Sequence, residues 1–94
     1  MIELGGNITL HGFKDRDYAE LIVVKKIVGR YARQISDQHQ GMEALSVTLK
    51  AEKSGYTVEA SCKAKGMEAH GSDTQPNLFV ALDGSLKKVV QQLG

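Results

Sequence analysis

Apolar residues recur along this chain with two different periods, and the points where the period changes divide it into elements. Ile2, Leu4, Ile8 and Leu10 predict extended structure broken at Gly5-Gly6, where the glycine pair marks a bulge or a turn between two short strands. From Asp15 the spacing widens. Tyr18, Leu21, Ile22, Lys25, Val28, Tyr31, Ala32 and Ile35 recur at three and four, which is helical. Asp15 or Asp17 is placed to cap the start, with Arg30 and Arg33 near the negative end of the helix. Gly29 weakens the interior by about 1 kcal/mol relative to Ala, unless it admits a close neighbour. The helix is expected to stop near Ser36-Asp37, before the polar stretch Gln38-His39-Gln40-Gly41.

Two alternating runs follow. Leu45, Val47 and Leu49 face one way, with Ser46, Thr48 and Lys50 opposite. Glu52-Lys53-Ser54-Gly55 supplies turn chemistry, after which Tyr56, Val58, Ala60, Cys62 and Ala64 alternate with Thr57, Glu59, Ser61, Lys63 and Lys65. Clean alternation means one buried and one wet face, as in an antiparallel hairpin. Lys65-Gly66 reads as the next turn and Met67, Ala69 and Gly71 as a third strand of the meander, with Ser72 to Pro76 a linker that Pro76 ends by starting a helix. That last helix has Leu78, Ala81, Leu82, Leu86, Val89 and Leu93 on one stripe and Asp83, Lys87, Lys88, Gln91 and Gln92 outside. The predicted fold is α+β with the order β-α-β-β-β-α. Two helices pack on one face of a four-stranded sheet and leave the other face solvated.

Length and composition allow one domain, residues 1–94, with a small core. Trp is absent and aromatics are 5%, so Leu, Ile, Val and Ala must build that core. The single cysteine, Cys62, rules out an internal disulfide and fits a reducing compartment. No apolar run approaches the ~18–20 residues of a membrane span, and the N-terminus lacks a secretory pattern. A cytoplasmic protein without a membrane partner is the expectation.

Catalytic chemistry has little to stand on. Cys62 is phased onto the apolar face of its strand, away from any base that would activate it. His11, His39 and His70 fall in three different elements without metal-ligand spacing. Asp73 and Asp83 read as linker and helix-surface residues rather than an acid–base pair. Gly5-Gly6 lacks the rest of a phosphate loop. No enzyme, no cofactor, no metal and no small-molecule substrate is expected.

The basic residues are the live candidates. The formal net charge is only +1, but residues 25–33 hold Lys25, Lys26, Arg30 and Arg33 with no acid. Lys26, Arg30 and Arg33 are spaced at i, i+4 and i+7 and share one helix face, and Lys25 on its flank reaches the surface along its aliphatic stem. Lys50, Lys63 and Lys65 alternate with Thr48, Thr57 and Ser61 on the wet sheet face, and Lys87 and Lys88 add charge on the last helix. Such a set suits a phosphate backbone, lysines supplying charge and hydroxyls hydrogen bonds. Glu59 and Glu68 nearby favour the blander reading of a mixed, solvated face. Tyr56 is in phase with the buried set, so the open face offers no stacking platform for single-stranded bases. Structured RNA, read by shape and phosphates, is the nucleic-acid partner that survives.

The closing segment Asn77-Leu78-Phe79-Val80-Ala81-Leu82-Asp83, with Lys88, Gln92 and Leu93, resembles the end of the ribosome hibernation (ribosome-associated inhibitor, protein Y) family. Asp17-Tyr18-Ala19-Glu20 through Lys25-Lys26 and Arg30-Tyr31 is similar to its first helix. Val47-Thr48-Leu49 and Tyr56-Thr57-Val58-Glu59-Ala60 resemble its central hairpin. The resemblance covers roughly residues 15–93. It implies a β-α-β-β-β-α fold like that of double-stranded RNA-binding domains. It also implies binding to the small ribosomal subunit near the decoding centre, idling the ribosome during stress by steric occlusion. The rRNA contacts it implies are Lys25, Lys26, Arg30 and Arg33 from the first helix and Lys87 and Lys88 from the last. Ending at Gly94 without a basic tail or a further domain, the sequence reads as a short form of that family, and its low net charge weakens the counterion-release term. The rival reading is a non-enzymatic protein-interaction or regulatory module on the same fold, using the open sheet face or an edge strand.

Overall fold

The computed structural model describes residues 2–5, 7–39 and 41–94; Met1, Gly6 and Gln40 lie outside the described residues. The elements are β1 (Ile2–Leu4), β2 (Ile8–His11), α1 (Tyr18–His39), β3 (Ala44–Glu52), β4 (Gly55–Ala64), β5 (Met67–Gln75) and α2 (Leu78–Leu93). The strands form one sheet in the order β1-β2-β3-β4-β5, antiparallel throughout except for the parallel pair β2–β3. This corrects the expected four-stranded, double-stranded-RNA-binding-domain-like sheet. The N-terminal segment folds back on itself, Gly5 taking a φ of +64° in the turn, and so contributes two strands. The Gly6 half of the expected glycine pair lies outside the described residues.

The alternation read from the sequence decides which sheet face is covered. Leu45, Val47 and Leu49 of β3 stand beside Cys62, Ala60 and Val58 of β4, and all six are buried with Leu10 of β2. Val24, Val28, Ala32 and Ile35 of α1 and Leu78, Ala81, Leu82, Leu86, Val89 and Leu93 of α2 close over them. The same registers put Thr9, His11, Ser46, Thr48, Lys50, Thr57, Glu59, Ser61, Lys63, His70 and Ser72 on the opposite, open face. Phe13 is the largest fully buried side chain and sits in the β2–α1 connection. Gly12 lets the chain turn there with a φ of +82°, so close to β3 that a Cβ would lie 2.2 Å from Leu49 O.

Three boundaries differ from those expected. Helix α1 starts at Tyr18, with the Asp17 carbonyl accepting from Leu21 N–H at 3.0 Å. It runs past Asp37 to His39, and Gly41 N–H closes it by donating to Ser36 O at 2.9 Å. Residues 72–75 are strand rather than linker, because β4 is ten residues long and Ser72 to Gln75 pair with Glu59 to Tyr56. The helix-facing positions of that stretch hold Gly71 and Asp73 instead of apolar residues, since α2 lies too close for larger ones. A Cβ on Gly71 would sit 2.2 Å from Ser85 O, and one on Gly84 would sit 2.0 Å from Asp73 Oδ2. Pro76 precedes α2 rather than starting it. The cap is Asn77, whose Oδ1 accepts from Phe79 N–H at 2.8 Å and Val80 N–H at 3.3 Å.

Candidate nucleic-acid interface

The rotation of α1 about its axis decides which of its cations can act together. Tyr31 fixes it: its hydroxyl donates to Asp83 Oδ1 of α2 at 2.6 Å, so this flank of α1 looks toward α2. With ~100° per residue, Lys26 and Arg33, seven apart, then point outward, and Lys25 lies on the far flank with Tyr18 and Ile22. Arg30 falls between the outward row and α2. Its guanidinium lies 3.5 Å from Asp83 Oδ1 and stacks 5.4 Å from the Tyr31 ring centre. Burial and the bond to Asp83 together hold the Tyr31 hydroxyl above its ordinary pKa.

On α2 the two lysines diverge. Lys87 is one turn beyond Asp83 and borders the same groove. Lys88 is turned to the other flank, where its Nζ donates to Ser72 O of β5 at 2.6 Å. Lys25, Lys26, Arg33 and Lys87 are exposed and in no ion pair among the described residues.

The sheet cations are elsewhere. Lys50 and Lys63 project from the open face, on the side of the sheet opposite the helices, and Lys50 Nζ is paired with Glu59 Oε1 at 3.2 Å. Lys65 is not a strand residue. It occupies the β4–β5 turn with a φ of +50°, followed by Gly66 at +76°, the two positive angles of a type I′ hairpin turn. The nine expected contact residues therefore do not form one surface. Lys26, Arg30, Arg33 and Lys87 share the outward helix side, Lys25 and Lys88 flank it, and Lys50, Lys63 and Lys65 lie away from it.

The residue that sequence reasoning misplaced is Asp83. It was expected as a plain helix-surface acid, yet it links Tyr31 and Arg30 and interrupts the positive strip between the helices. Its position four residues before Lys87 was visible, but its partner Tyr31 lies 52 residues away in sequence. Tyr18 and Ile22, read with the recurring apolar positions of α1, lie outside its buried stripe and are 76% and 40% exposed.

The remaining chemistry is quiet. Cys62 is buried in the sheet core, and desolvation pushes its thiol pKa up, away from a reactive thiolate. Arg16 bridges α1 and β4, donating to Glu20 at 2.9 Å and lying 5.2 Å from the Tyr56 ring centre. Tyr56 thus belongs to the helix side of the sheet, and the open face carries no Phe, Tyr or Trp among the described residues. No group of three or more His, Cys, Asp or Glu is placed to hold a metal among the described residues. No helix is long and apolar enough to cross a membrane.

The class of molecule is thus an α+β domain with two helices over one mixed sheet and its unpaired helix cations on the outward side. Solved structures with this fold include the N-terminal domain of Thermus thermophilus protein Y. It matches at a TM-score of 0.68 with 17% sequence identity, over 92% of this chain and 91% of that one. A ribosomal subunit interface protein from Coxiella burnetii matches at a TM-score of 0.69 with 16% identity, over 93% and 90%. At such identities the likeness establishes the fold. No family model and no curated protein matches the sequence.

Proposed function

We propose that this chain is a ribosome-associated, RNA-binding factor that lays its helix side on small-subunit rRNA near the decoding centre. It would act there by occupying the space that messenger and transfer RNA need. No bond is made or broken in such a mechanism, so it needs neither a nucleophile nor a cofactor, and it belongs in the cytoplasm with the ribosome. The observation that carries the reading is the outward row Lys26, Arg33 and Lys87, exposed and without ion-pair partners among the described residues. It is set on a fold shared with the protein Y N-terminal domain. A compact RNA helix presents phosphates in such rows, and each neutralised phosphate releases counterions.

Co-sedimentation with small ribosomal subunits across a salt series tests this. Three phosphate contacts predict a log–log slope of about −2 to −3, so binding falls roughly thirtyfold between 50 and 200 mM salt. A flat salt response, or no association with the subunit, overturns the proposal.

One observation favours the rival reading. The open sheet face holds a shallow concavity of about 360 Å³ lined by Ser46, Thr48, Glu59, Ser61, His70 and Ser72, near neutral because Lys50 is paired with Glu59. A protein-interaction module would use that face, and salt-independent capture of a protein partner without ribosomes is its signature.

A further inference from the structure

Strand β5 is an edge of the sheet, and an edge strand leaves every second residue's N–H and C=O pointing outward. In this protein part of that edge, at His70 and Ser72, is bonded by side chains of α2. His70 N–H donates to Gln92 Oε1 at 2.9 Å, and Gln92 Nε2 donates back to His70 O. One side-chain amide thus makes both bonds that a neighbouring strand would make to His70. Two residues along, Ser72 O accepts from Lys88 Nζ at 2.6 Å. Both clasping residues come from α2, one turn apart on the flank turned toward β5. Gly71 and Gly84 bring that helix close enough for their side chains to reach over the edge.

We propose that Gln92 and Lys88 form a clasp that closes a strand-addition surface on β5, and that this surface fits a second copy of the same chain. Because His70 and Ser72 point outward, Glu68 and Thr74 do so as well. A two-fold antiparallel pairing centred on Gly71 sets His70 opposite Ser72 and Glu68 opposite Thr74. No like charges face each other in that register, and Gly71 meets Gly71 where side chains beneath the helices would collide. The outcome of opening the clasp is a continuous sheet running through two molecules. The inference stands apart from the ribosome reading, because it rests on backbone groups that take no part in the helix-side surface.

The test is the mass in solution, by light scattering or sedimentation, of the wild type and of Gln92→Ala/Lys88→Ala across a concentration series. The wild type stays monomeric and the double variant forms a concentration-dependent dimer. Adding Ser72→Pro returns it to monomer, since a proline is tolerated on an edge whose N–H faces outward but removes a bond from the new junction. A folded double variant that remains monomeric at every concentration overturns the proposal, as does a dimer indifferent to Ser72→Pro. Hydrogen exchange on the wild type decides the matter even where the variants fail to fold. The His70 amide is protected well beyond the outward amides of Glu68 and Thr74, and equal rates at all three contradict the clasp.

Discussion

Removing Asp83 has two effects of opposite sign, and together they test the account of the helix groove. Asp83 accepts the Tyr31 hydroxyl at 2.6 Å and lies 3.5 Å from the Arg30 guanidinium. A hydrogen bond to a charged group is worth about 1.5–3 kcal/mol when buried. The Asp83 side chain is 46% exposed, which reduces the Tyr31 bond to about 1 kcal/mol and the looser Arg30 pair to a few tenths. Asp83→Ala and Tyr31→Phe are each expected to cost about 1 kcal/mol, or roughly 4–8 °C in Tm for a domain this size. The double variant is expected to cost little more than either, with a coupling near 1 kcal/mol in the cycle. RNA binding moves the other way. Asp83→Ala removes an acid from the groove and releases Arg30, adding about 0.7–0.9 to the magnitude of the salt slope and tightening binding at low salt. Denaturant melts of the four proteins give the first quantity, and titration of a structured small-subunit RNA fragment gives the second. A coupling below about 0.3 kcal/mol would refute the contact, and unchanged RNA affinity would refute the role given to Arg30.

Other expectations follow from the same geometry. Gly71→Ala forces α2 off β5 and is expected to lose about 1–3 kcal/mol, whereas Gly29→Ala, on an open helix surface with nothing within 4 Å, is expected to gain up to about 1 kcal/mol. Thermal melts that rank the two the other way contradict the packing described for α2. Because the Tyr31 pKa is raised above its ordinary 10.0, the folded state holds this proton more tightly than the unfolded chain. Its contribution is complete below that value and lost as pH rises through the raised one, so Tyr31→Phe flattens the alkaline limb of the stability–pH curve. Cys62 reacts with a thiol reagent no faster than the chain opens, and rapid native-state labelling contradicts its burial.

Much of this was legible wherever a face is buried by repetition. The stripe Leu78 to Leu93 and the alternation through β3 and β4 name the covered surfaces directly, because apolar residues there have only one function. The sequence was opaque where close approach replaces bulk. Gly71 and Asp73 lie beneath α2 where an apolar pattern would normally announce a strand, so the second half of β5 read as a linker. Phe13 is a lone apolar residue among polar ones, and periodicity cannot report a single anchor. The candidate site divides in the same way. Spacing along one helix places Lys26 with Arg33, but the angle at which α1 faces α2 comes from the Tyr31–Asp83 contact between distant segments. Lys50 and Lys63 were correctly read as open-face residues, and the two packed helices then put them on the far side from the other cations.

The central claim is that one side of this molecule meets RNA, and paired charge reversal measures it most directly. Lys26→Glu/Arg33→Glu/Lys87→Glu alters the helix side, while Lys50→Glu/Lys63→Glu alters the open sheet face by the same kind of change. Compared for affinity to small ribosomal subunits at one fixed salt, the first is expected to lose binding by at least about tenfold, from the loss of three phosphate contacts. The second is expected to stay within about twofold of wild type. Equal losses, or a loss confined to the sheet variant, would contradict the account.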